Sequence, residues 1–361
     1  MKDQITHRKR RHLDVCLDPH SGVQGKGSQM EKIRLPHRPL PELDLQDVTT
    51  KTSFLGQTLQ APIMISCMTG GTEEGKRLNR LLTQCANDVG FAIGTGSIRV
   101  MLRHPERQED FALKKWAPQV PVLANIGAAQ LEEYSPAEIL QATHSLDADA
   151  LYVHLNAAQE MFQQNGDGNF SSWKTNLARM IEQAKDFPIL VKEVGAGIPP
   201  KDALELLDMG VSMVDIAGCG GTDWVAVESF SQDSPNKDFY HWGYPTAELL
   251  WAYRLLMKTN SDWAQRLQGK IIASGGLLTA LDMVKALGCG ASMAAAALPF
   301  LQAAAQGEDS LYNFAHQLVA HSQTAMLLIG AKNPQAIATK NLHAESDLCS
   351  SAQNLIAEVL G

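Results

Sequence analysis

The chain lacks any long apolar run: none of its hydrophobic stretches approaches the roughly 20 residues that a membrane-spanning helix needs. No apolar stretch follows the basic N-terminus MKDQITHRKRRH either, so we expect no secretory signal peptide. The scattered cysteines form no C-x-x-C pair, which argues against a zinc knuckle or a disulfide framework and favours a reducing, cytoplasmic compartment. They are Cys16, Cys67, Cys85, Cys219, Cys289 and Cys349.

Aromatic residues (6%) and charged residues (19%) are scarce in the 361-residue chain, and the net charge is -8. That charge is uneven, because residues 1–38 hold nine basic and four acidic residues, which leaves -13 on the rest. A basic arm on an acidic body can meet a nucleic acid, a membrane surface or a small polyanion, or it is a solvated tail. The acidic body lacks the broad basic face that nucleic acids require, so we expect no nucleic-acid partner.

Eight short β-type segments start about 33 residues apart on average, which is about the length of one βαβ repeat. Amphipathic helical stretches lie between them, for example at 75–90 and 199–210. This alternation predicts an α/β fold, a (β/α)8 TIM barrel with an N-terminal basic arm and C-terminal helices. The predicted strands are 61–66, 91–94, 121–126, 150–155, 188–194, 213–218, 270–274 and 291–296.

An open doubly wound sheet is the alternative architecture. The first predicted strand ends in MTGGTEEGKR, which does not fit the G-x-G-x-x-G of that fold. We therefore expect one large domain in three parts: residues 1–60 as an arm or lid packed on the barrel, 61–304 as the cofactor-binding barrel, and 305–361 as a helical extension. Long connections at 156–173 and 218–245 follow the fourth and sixth strands, on the face where such barrels carry their active sites.

Small residues follow the last two predicted strands. Ser274-Gly275-Gly276-Leu277 ends the seventh strand, and Ala295-Ala296-Ala297 ends the eighth before Pro299. Backbone N–H groups of such turns form a cradle for anions, and these two loops are the usual phosphate site of the barrel. A tight structural turn is the other interpretation.

Lys192 lies near the carboxyl end of the fifth predicted strand, where side chains that point into a barrel are normally apolar. A buried lysine needs an anion, which a flavin mononucleotide (FMN) supplies if its phosphate binds two or three strands away. Pairing with Glu193 or with an acid on an adjacent strand is the alternative. Asn125 and the backbone at 68–71 could also contact a flavin.

Polar residues cluster where the fourth predicted strand ends, in His154-Leu155-Asn156-Ala157-Ala158-Gln159-Glu160. Glu160 is a hard oxygen ligand suited to Mg²⁺, which binds through one or two carboxylates together with substrate phosphates and water. After the second strand, Ser97 adds a hydroxyl and Arg99 adds a guanidinium, the preferred bidentate reader of phosphate oxygens. A satisfied core histidine is the alternative for His154.

With these motifs in order, the sequence resembles type 2 isopentenyl-diphosphate isomerase, an FMN-dependent family. The resemblance runs from residue 8 to about residue 301. It is carried by R-K-x-x-H at 8–12, M-T-G-G at 68–71, G-S-I-R at 96–99, N-I-G at 125–127, H-L-N-x-x-Q-E at 154–160, V-K-E-V-G at 191–195, G-G-T at 220–222 and S-G-G-L at 274–277.

The resemblance implies a barrel enzyme that uses reduced FMN, NADPH as reductant and Mg²⁺ to interconvert isopentenyl and dimethylallyl diphosphate, assembled as a homo-oligomer (tetramer or octamer). Glu160 would bind Mg²⁺, and Gln159, His154 and Glu228 would transfer or position protons. Substrate contacts would come from Arg8, Lys9, Ser97, Ile98, Arg99, His154 and Gln159. FMN would contact Cys67, Met68, Thr69, Ser97, Asn125, Lys192, Thr222, Gly275, Gly276, Leu277, Ala296 and Ala297.

Two departures from the family pattern bear on the flavin phosphate. Ala217 and Cys219 stand where the family commonly has a hydroxyl residue and an arginine, and the turn at 295–298 lacks its usual Gly, Met and basic residue. A catalytically silent flavin- or phosphate-binding protein is therefore one alternative. An FMN-dependent 2-hydroxyacid oxidase or dehydrogenase is another, but its H-G-G-R motif is replaced here by Cys219-Gly220-Gly221-Thr222.

Overall fold

A computed structural model describes residues 2–18, 20–23, 27–68, 73–164, 166–230, 237–259 and 262–360, with side chains from Arg10 onward. Within those ranges, no helix is both long and apolar enough to cross a membrane.

Eight parallel strands close into a barrel in the order β10-β11-β4-β5-β6-β7-β8-β9. All eight coincide with the segments expected from the sequence, so the barrel prediction is confirmed and the open sheet is wrong. The strands are β4 (Ile63–Ile65), β5 (Ala92–Ser97), β6 (Val122–Gly127), β7 (Ala150–His154), β8 (Ile189–Lys192), β9 (Met213–Asp215), β10 (Ile271–Ala273) and β11 (Met293–Ala296).

Each barrel strand is followed by at least one helix, as the alternating pattern predicts. The helix predicted at 75–90 forms as α2, where apolar residues spaced three or four apart, such as Leu78, Leu82 and Cys85, are buried against the barrel. These helices are α2 (Glu73–Val89), α3 (Arg99–Arg103), α4 (Gln130–Glu133), α5 (Pro136–His144), α6 (Ala157–Phe162), α7 (Trp173–Ala184), α8 (Pro200–Asp208), α9 (Trp224–Ser229), α10 (Thr246–Lys258), α11 (Asp262–Leu267), α12 (Ala280–Gly288) and α13 (Leu298–Gln306).

Segments before and after the barrel pack on its outside. At the N-terminal side these are α1 (Lys2–Leu17), β1 (Ile33–Arg34), β2 (Thr52–Phe54) and β3 (Gln57–Leu59). At the C-terminal side they are α14 (Glu308–Leu328), α15 (Pro334–Ala338), β12 (His343–Ala344) and α16 (Ser346–Leu360). The two sides meet because β1 pairs antiparallel with β12.

Helix α1 packs against α9 and α13 at the carboxyl ends of the barrel strands. Its residues Leu13, Val15 and Cys16 are buried there. The basic arm of the sequence is thus a helix seated on the face of the barrel where the long connections lie.

Candidate active site

A cavity of about 510 Å³ opens at the carboxyl ends of the barrel strands and is closed on one side by α1. Polar and small residues that the sequence placed on separate loops line it together, because the closed barrel brings all strand ends to one rim. The predicted site residues that line the cavity are Cys67, Met68, Ser97, Arg99, Asn125, His154, Gln159, Glu160, Lys192, Thr222, Gly275, Gly276, Leu277, Ala296 and Ala297.

The other five predicted site residues are not among those that line the cavity. Ile98 is fully buried, and its N–H donates to Asn125 O over 2.8 Å, so neither its side chain nor its amide faces the cavity. Thr69 and the side chains of Arg8 and Lys9 fall outside the described part of the chain. Glu228 lies behind the lining, where it contacts two residues that do face the cavity.

The turn after β10 requires glycine at two positions. Gly275 (φ 96°) and Gly276 (φ 74°) both adopt left-handed backbone conformations. A Cβ at either position would collide with the backbone of Gly218 or Gly220. The N-terminus of α13 begins directly after Ala297, so an N-terminal helix dipole faces the same corner. A turn this close to the neighbouring backbone suits the phosphate cradle expected for FMN.

The floor of the cavity carries a row of polar side chains. His154, Lys192 and Asp215 are successive register partners on β7, β8 and β9, so all three point to the same inner face of the barrel. Lys192 is buried, and its Nζ donates to Glu193 O over 2.6 Å. A buried cation at the floor fits a flavin ring, on which negative charge accumulates upon reduction.

Glu193 is held by its own loop. Its Oε2 accepts hydrogen bonds from the N–H groups of Val194 (2.6 Å), Gly195 (2.5 Å), Ala196 and Gly197 (3.1 Å). The carboxylate therefore fixes the connection after β8. Lys192 donates to the main-chain carbonyl of this residue and not to its carboxylate.

His154 is neutral in this environment. Burial and the nearby positive charge of Lys192 lower its pKa from 6.5 to about 3. Its Nδ1 lies 3.0 Å from Asn125 Oδ1, and because an amide oxygen only accepts, this assigns the ring proton to Nδ1.

Three residues of the motif after β7 form one hydrogen-bonded group. The Asn156 amide Nδ2 donates to Gln159 Oε1 (3.2 Å) and to Glu160 Oε1 (3.0 Å). Glu160 Oε2 accepts from Gln163 Nε2 (3.2 Å) and from the N–H of Asp167 (3.1 Å). Both carboxylate oxygens of Glu160 are thus oriented by neutral donors, and no cation among the described residues forms an ion pair with them.

Glu228 links this group to the N-terminal arm. Gln159 Nε2 donates to Glu228 Oε1 over 2.8 Å, and His12 Nε2 lies 3.1 Å from the same oxygen. Arg11 lies 3.8 Å from Glu228 Oε2, and the His12 ring stacks edge-on to Trp224 at 5.4 Å. The arm therefore contributes an imidazole and a guanidinium to a buried carboxylate beside the cavity.

Arg99, on α3, lines the cavity, and its guanidinium is oriented by Glu133 on α4. Glu133 Oε1 lies 3.4 Å from Arg99 Nη2 and 3.0 Å from Arg103 Nη2. One carboxylate shared by two guanidiniums leaves net positive charge at this rim, as an anionic substrate requires.

No group of three or more His, Cys, Asp or Glu side chains in the described ranges is arranged as a ready-made metal site. Glu160 by itself provides one oriented carboxylate. That donor set fits Mg²⁺ only with oxygens from substrate and water, as Mg²⁺ sites on phosphate substrates commonly have.

Sequence reasoning missed several residues that build the site. His12 supported a motif but had no partner until the fold placed it beside Glu228. Asp215 could have been singled out from the sequence, because an acidic residue in the apolar run MVDIAG needs a compensating partner, as Lys192 does in its own strand. The departures at Ala217 and Cys219 lie next to it: Ala217 lines the cavity, whereas Cys219 Sγ points to His241 O at 3.6 Å.

Known structures with this fold include flavin enzymes. Similar chains are a flavocytochrome b2 variant (TM-score 0.67, 16% identity, covering 94% of this chain and 84% of that one) and a mandelate oxidase variant (TM-score 0.63, 16% identity, covering 94% and 98%). At this identity the likeness concerns the fold alone.

Sequence comparisons go further. The FMN-dependent dehydrogenase family matches residues 126–344. An isopentenyl-diphosphate delta-isomerase of Nostoc sp. is 37% identical over 336 residues, covering 91% of this chain and 93% of the relative. The enzyme of the same name from Pseudescherichia vulneris is 38% identical over 343 residues, covering 92% and 95%. With the cavity, the glycine turn and Lys192 in place, the chain belongs to the FMN-dependent, type 2 isopentenyl-diphosphate delta-isomerase family.

Proposed function

We propose that this chain interconverts isopentenyl diphosphate and dimethylallyl diphosphate with FMN bound in the cavity, as a step of isoprenoid biosynthesis. The supporting observation is that one cavity joins the glycine turn and buried Lys192 on one side to Arg99 and the Gln159–Glu160 pair on the other. The first set suits a flavin nucleotide, and the second suits a diphosphate with Mg²⁺.

FMN is held from two strand ends. Gly275, Gly276 and Leu277, with the Ala296-Ala297 turn, receive the phosphate, while Lys192 and Asn125 face the ring. Ser97, Thr222, Cys67 and Met68 complete the contacts. When bound and reduced, FMN supplies acid–base chemistry for moving a double bond without net oxidation. NADPH serves as reductant.

The diphosphate binds at the opposite rim. Arg99 and Ser97 contact its oxygens. Arg8 and Lys9, whose side chains lie outside the described part of the chain, are further contacts implied by the family resemblance. His154 donates a hydrogen bond to the diphosphate only after a tautomer change or proton uptake, because Nδ1–H is committed to Asn125 Oδ1 in the free site. Glu160 is buried and would hold Mg²⁺ together with oxygens of substrate and water, and the ion would supply positive charge to neutralise the diphosphate.

Gln159 and Glu228 transfer or position protons beside the alkene. Glu228 is buried and accepts from Gln159 Nε2, so it is poised to take or return a proton through that amide or a water. The seated arm and the apolar wall of Trp224 keep water from the cation-like transition state. We place the enzyme in the cytoplasm as a homo-oligomer.

The test uses purified protein loaded with FMN. Reduced by NADPH or dithionite, with Mg²⁺ present, it is incubated with each C5 diphosphate separately, and both products are quantified. We expect the same equilibrium mixture from either side, and no conversion with oxidised flavin. FMN-loaded, reduced protein that converts neither isomer would contradict the proposal, and turnover of a 2-hydroxy acid would support the oxidase alternative.

A further inference from the structure

Asp215 is a fully buried carboxylate that the proposed mechanism does not use. It ends β9 inside the barrel, in register with Lys192 on the neighbouring strand. Register partners on adjacent strands of a sheet point to the same face, so both side chains point into the barrel, and Lys192 lines the floor of the cavity. Asp215 itself lies beneath that floor.

The two oxygens of Asp215 have different surroundings. Oδ1 accepts from Ser274 Oγ over 2.5 Å and from the N–H of Ala217 over 3.3 Å. Oδ2 is buried without a hydrogen-bond partner among the described residues. A carboxylate in that position needs a nearby positive charge to remain ionised.

Lys192 is the cation that meets this need. Burial raises the pKa of Asp215, and the positive charge of Lys192 opposes that rise. Of the other neighbouring groups, His154 is neutral, since its pKa is lowered to about 3 by burial and by Lys192. Lys192 also acts on Glu193, but that carboxyl group is held by four backbone N–H groups of its own loop.

Ser274 extends the contact toward the phosphate end of the cavity. It directly precedes Gly275 and Gly276, and its hydroxyl is anchored on Asp215 Oδ1. One buried carboxylate is thus the strand-register neighbour of the cation at the ring end and the hydrogen-bond partner of the first residue of the glycine turn.

We propose that Asp215 is a positioning residue of the flavin site, whose carboxylate is the buried counter-charge of Lys192 and whose bond to Ser274 anchors the glycine turn. The proposal rests on the proposed function for the identity of the cofactor. The interaction between the two charges requires no cofactor, so it is testable in the apoprotein.

The first experiment is a double-mutant cycle on apoprotein, measured by urea unfolding. We expect Asp215→Asn to raise the unfolding equilibrium constant at least tenfold, because Lys192 loses its partner. In a Lys192→Met background, we expect Asp215→Asn to raise the unfolding equilibrium constant less than threefold. An equal effect in both backgrounds overturns the pairing. If Asp215→Asn alone does not fold, the double variant must fold; its failure also overturns the proposal.

The second experiment measures the midpoint potential of bound FMN. Removing the negative charge leaves Lys192 unopposed, which stabilises the anionic reduced flavin. We expect Asp215→Asn to raise the ratio of reduced to oxidised flavin at a fixed potential at least tenfold, about 30 mV for a two-electron couple. Ser274→Ala removes the hydrogen bond and keeps the charge, and it should change that ratio less than threefold.

A potential unchanged by Asp215→Asn, with FMN bound, overturns the role of Asp215 toward the flavin. Wild-type protein that binds no FMN would contradict the proposed function instead, while the apoprotein cycle would still decide the ion pair. The two failures are therefore distinguishable.

Discussion

Gln159 donates its amide N–H to Glu228 Oε1 over 2.8 Å, and the direction of this bond is fixed by its neighbours. Glu160 is an acceptor, so Asn156 must present its NH2 group to it, and the same NH2 group donates to Gln159 Oε1. Gln159 is thereby left with its own NH2 group toward Glu228. Two carboxylates thus orient the chain of amides between them.

Glu228→Gln tests this orientation. The variant replaces the acceptor by an amide that cannot take up a proton, so we expect kcat to fall about 10²- to 10⁴-fold, the usual range for loss of a general acid–base group. Substrate KM and FMN affinity should change less than threefold. Exposed Glu182 on α7 provides the control, Glu182→Gln, with unchanged kcat. A kcat of Glu228→Gln within threefold of wild type would contradict the proton role.

Glu160→Gln should raise the Mg²⁺ concentration for half-maximal activity at least tenfold, because a neutral amide is a weaker ligand of a hard cation. Asp167→Asn is the matched control: it removes a nearby charge but retains the backbone N–H that donates to Glu160 Oε2. Magnesium titrations of activity measure both variants. Identical titration curves for Glu160→Gln and wild type would exclude Glu160 as the ligand.

His12→Ala should loosen the N-terminal arm. The imidazole contacts Glu228 Oε1 and the Trp224 ring, so its loss removes about 1 kcal/mol of docking energy from α1, which carries Arg8 and Lys9. We expect KM for the diphosphate to rise about fivefold, with FMN affinity unchanged. His20→Ala, at an exposed position beyond α1, should leave both constants as they are. Parallel loss of substrate and FMN binding would indicate a folding role instead.

The neutral His154 makes stability depend on pH. Its pKa is lowered to about 3 in the folded chain, so between about pH 3 and 6.5 the unfolded state binds more protons, and stability falls as the pH falls through that window. Between pH 7 and pH 5, the lowered pKa of His154 reduces the free energy of unfolding by at most about 2 kcal/mol. Screening by solvent in the cavity limits this loss to about 1 kcal/mol. Urea unfolding of apo wild type and His154→Gln at both pH values measures this. An equal pH dependence in the two proteins would contradict it.

Gly275→Ala should abolish the glycine turn. The added Cβ would collide with the backbone of Gly218, and its left-handed φ of 96° adds about 1–3 kcal/mol of strain. We expect at least tenfold weaker FMN binding, read from flavin fluorescence. Gly269→Ala is the control, since Gly269 has a φ of 73° with no atom within 4 Å of a built Cβ. Equal FMN affinity in the two variants would exclude the turn as the phosphate site.

Local pattern was enough to place the barrel strands, because the strands are short continuous apolar runs at a regular repeat. The rim residues followed, since strand ends of a closed barrel meet at one face. Ile98 shows the limit of a motif: it lies between Ser97 and Arg99 in sequence, yet as the N-cap residue of α3 it is fully buried, while both neighbours line the cavity.

Contacts between distant segments could not be predicted. His12 and Glu228 are over 200 residues apart in sequence, and Glu133 reaches Arg99 from the following βα unit. Neither pairing leaves a local pattern, because each depends on how helices pack on the finished barrel. For Lys192 the sequence offered an acid on an adjacent strand as one alternative, but only the alignment of β8 with β9 identifies that acid as Asp215.

The carboxylate of Glu193 affects where the charged groups of a ligand can bind in the cavity. By occupying the N–H groups of residues 194–197, it fills a cradle that would otherwise attract a phosphate. The wall formed by residues 194–197 is thus closed to a phosphate by a carboxyl group of the protein itself. Any phosphate-bearing ligand must therefore place its charged ends at the glycine turn or at the Arg99 rim and turn its uncharged part toward this wall.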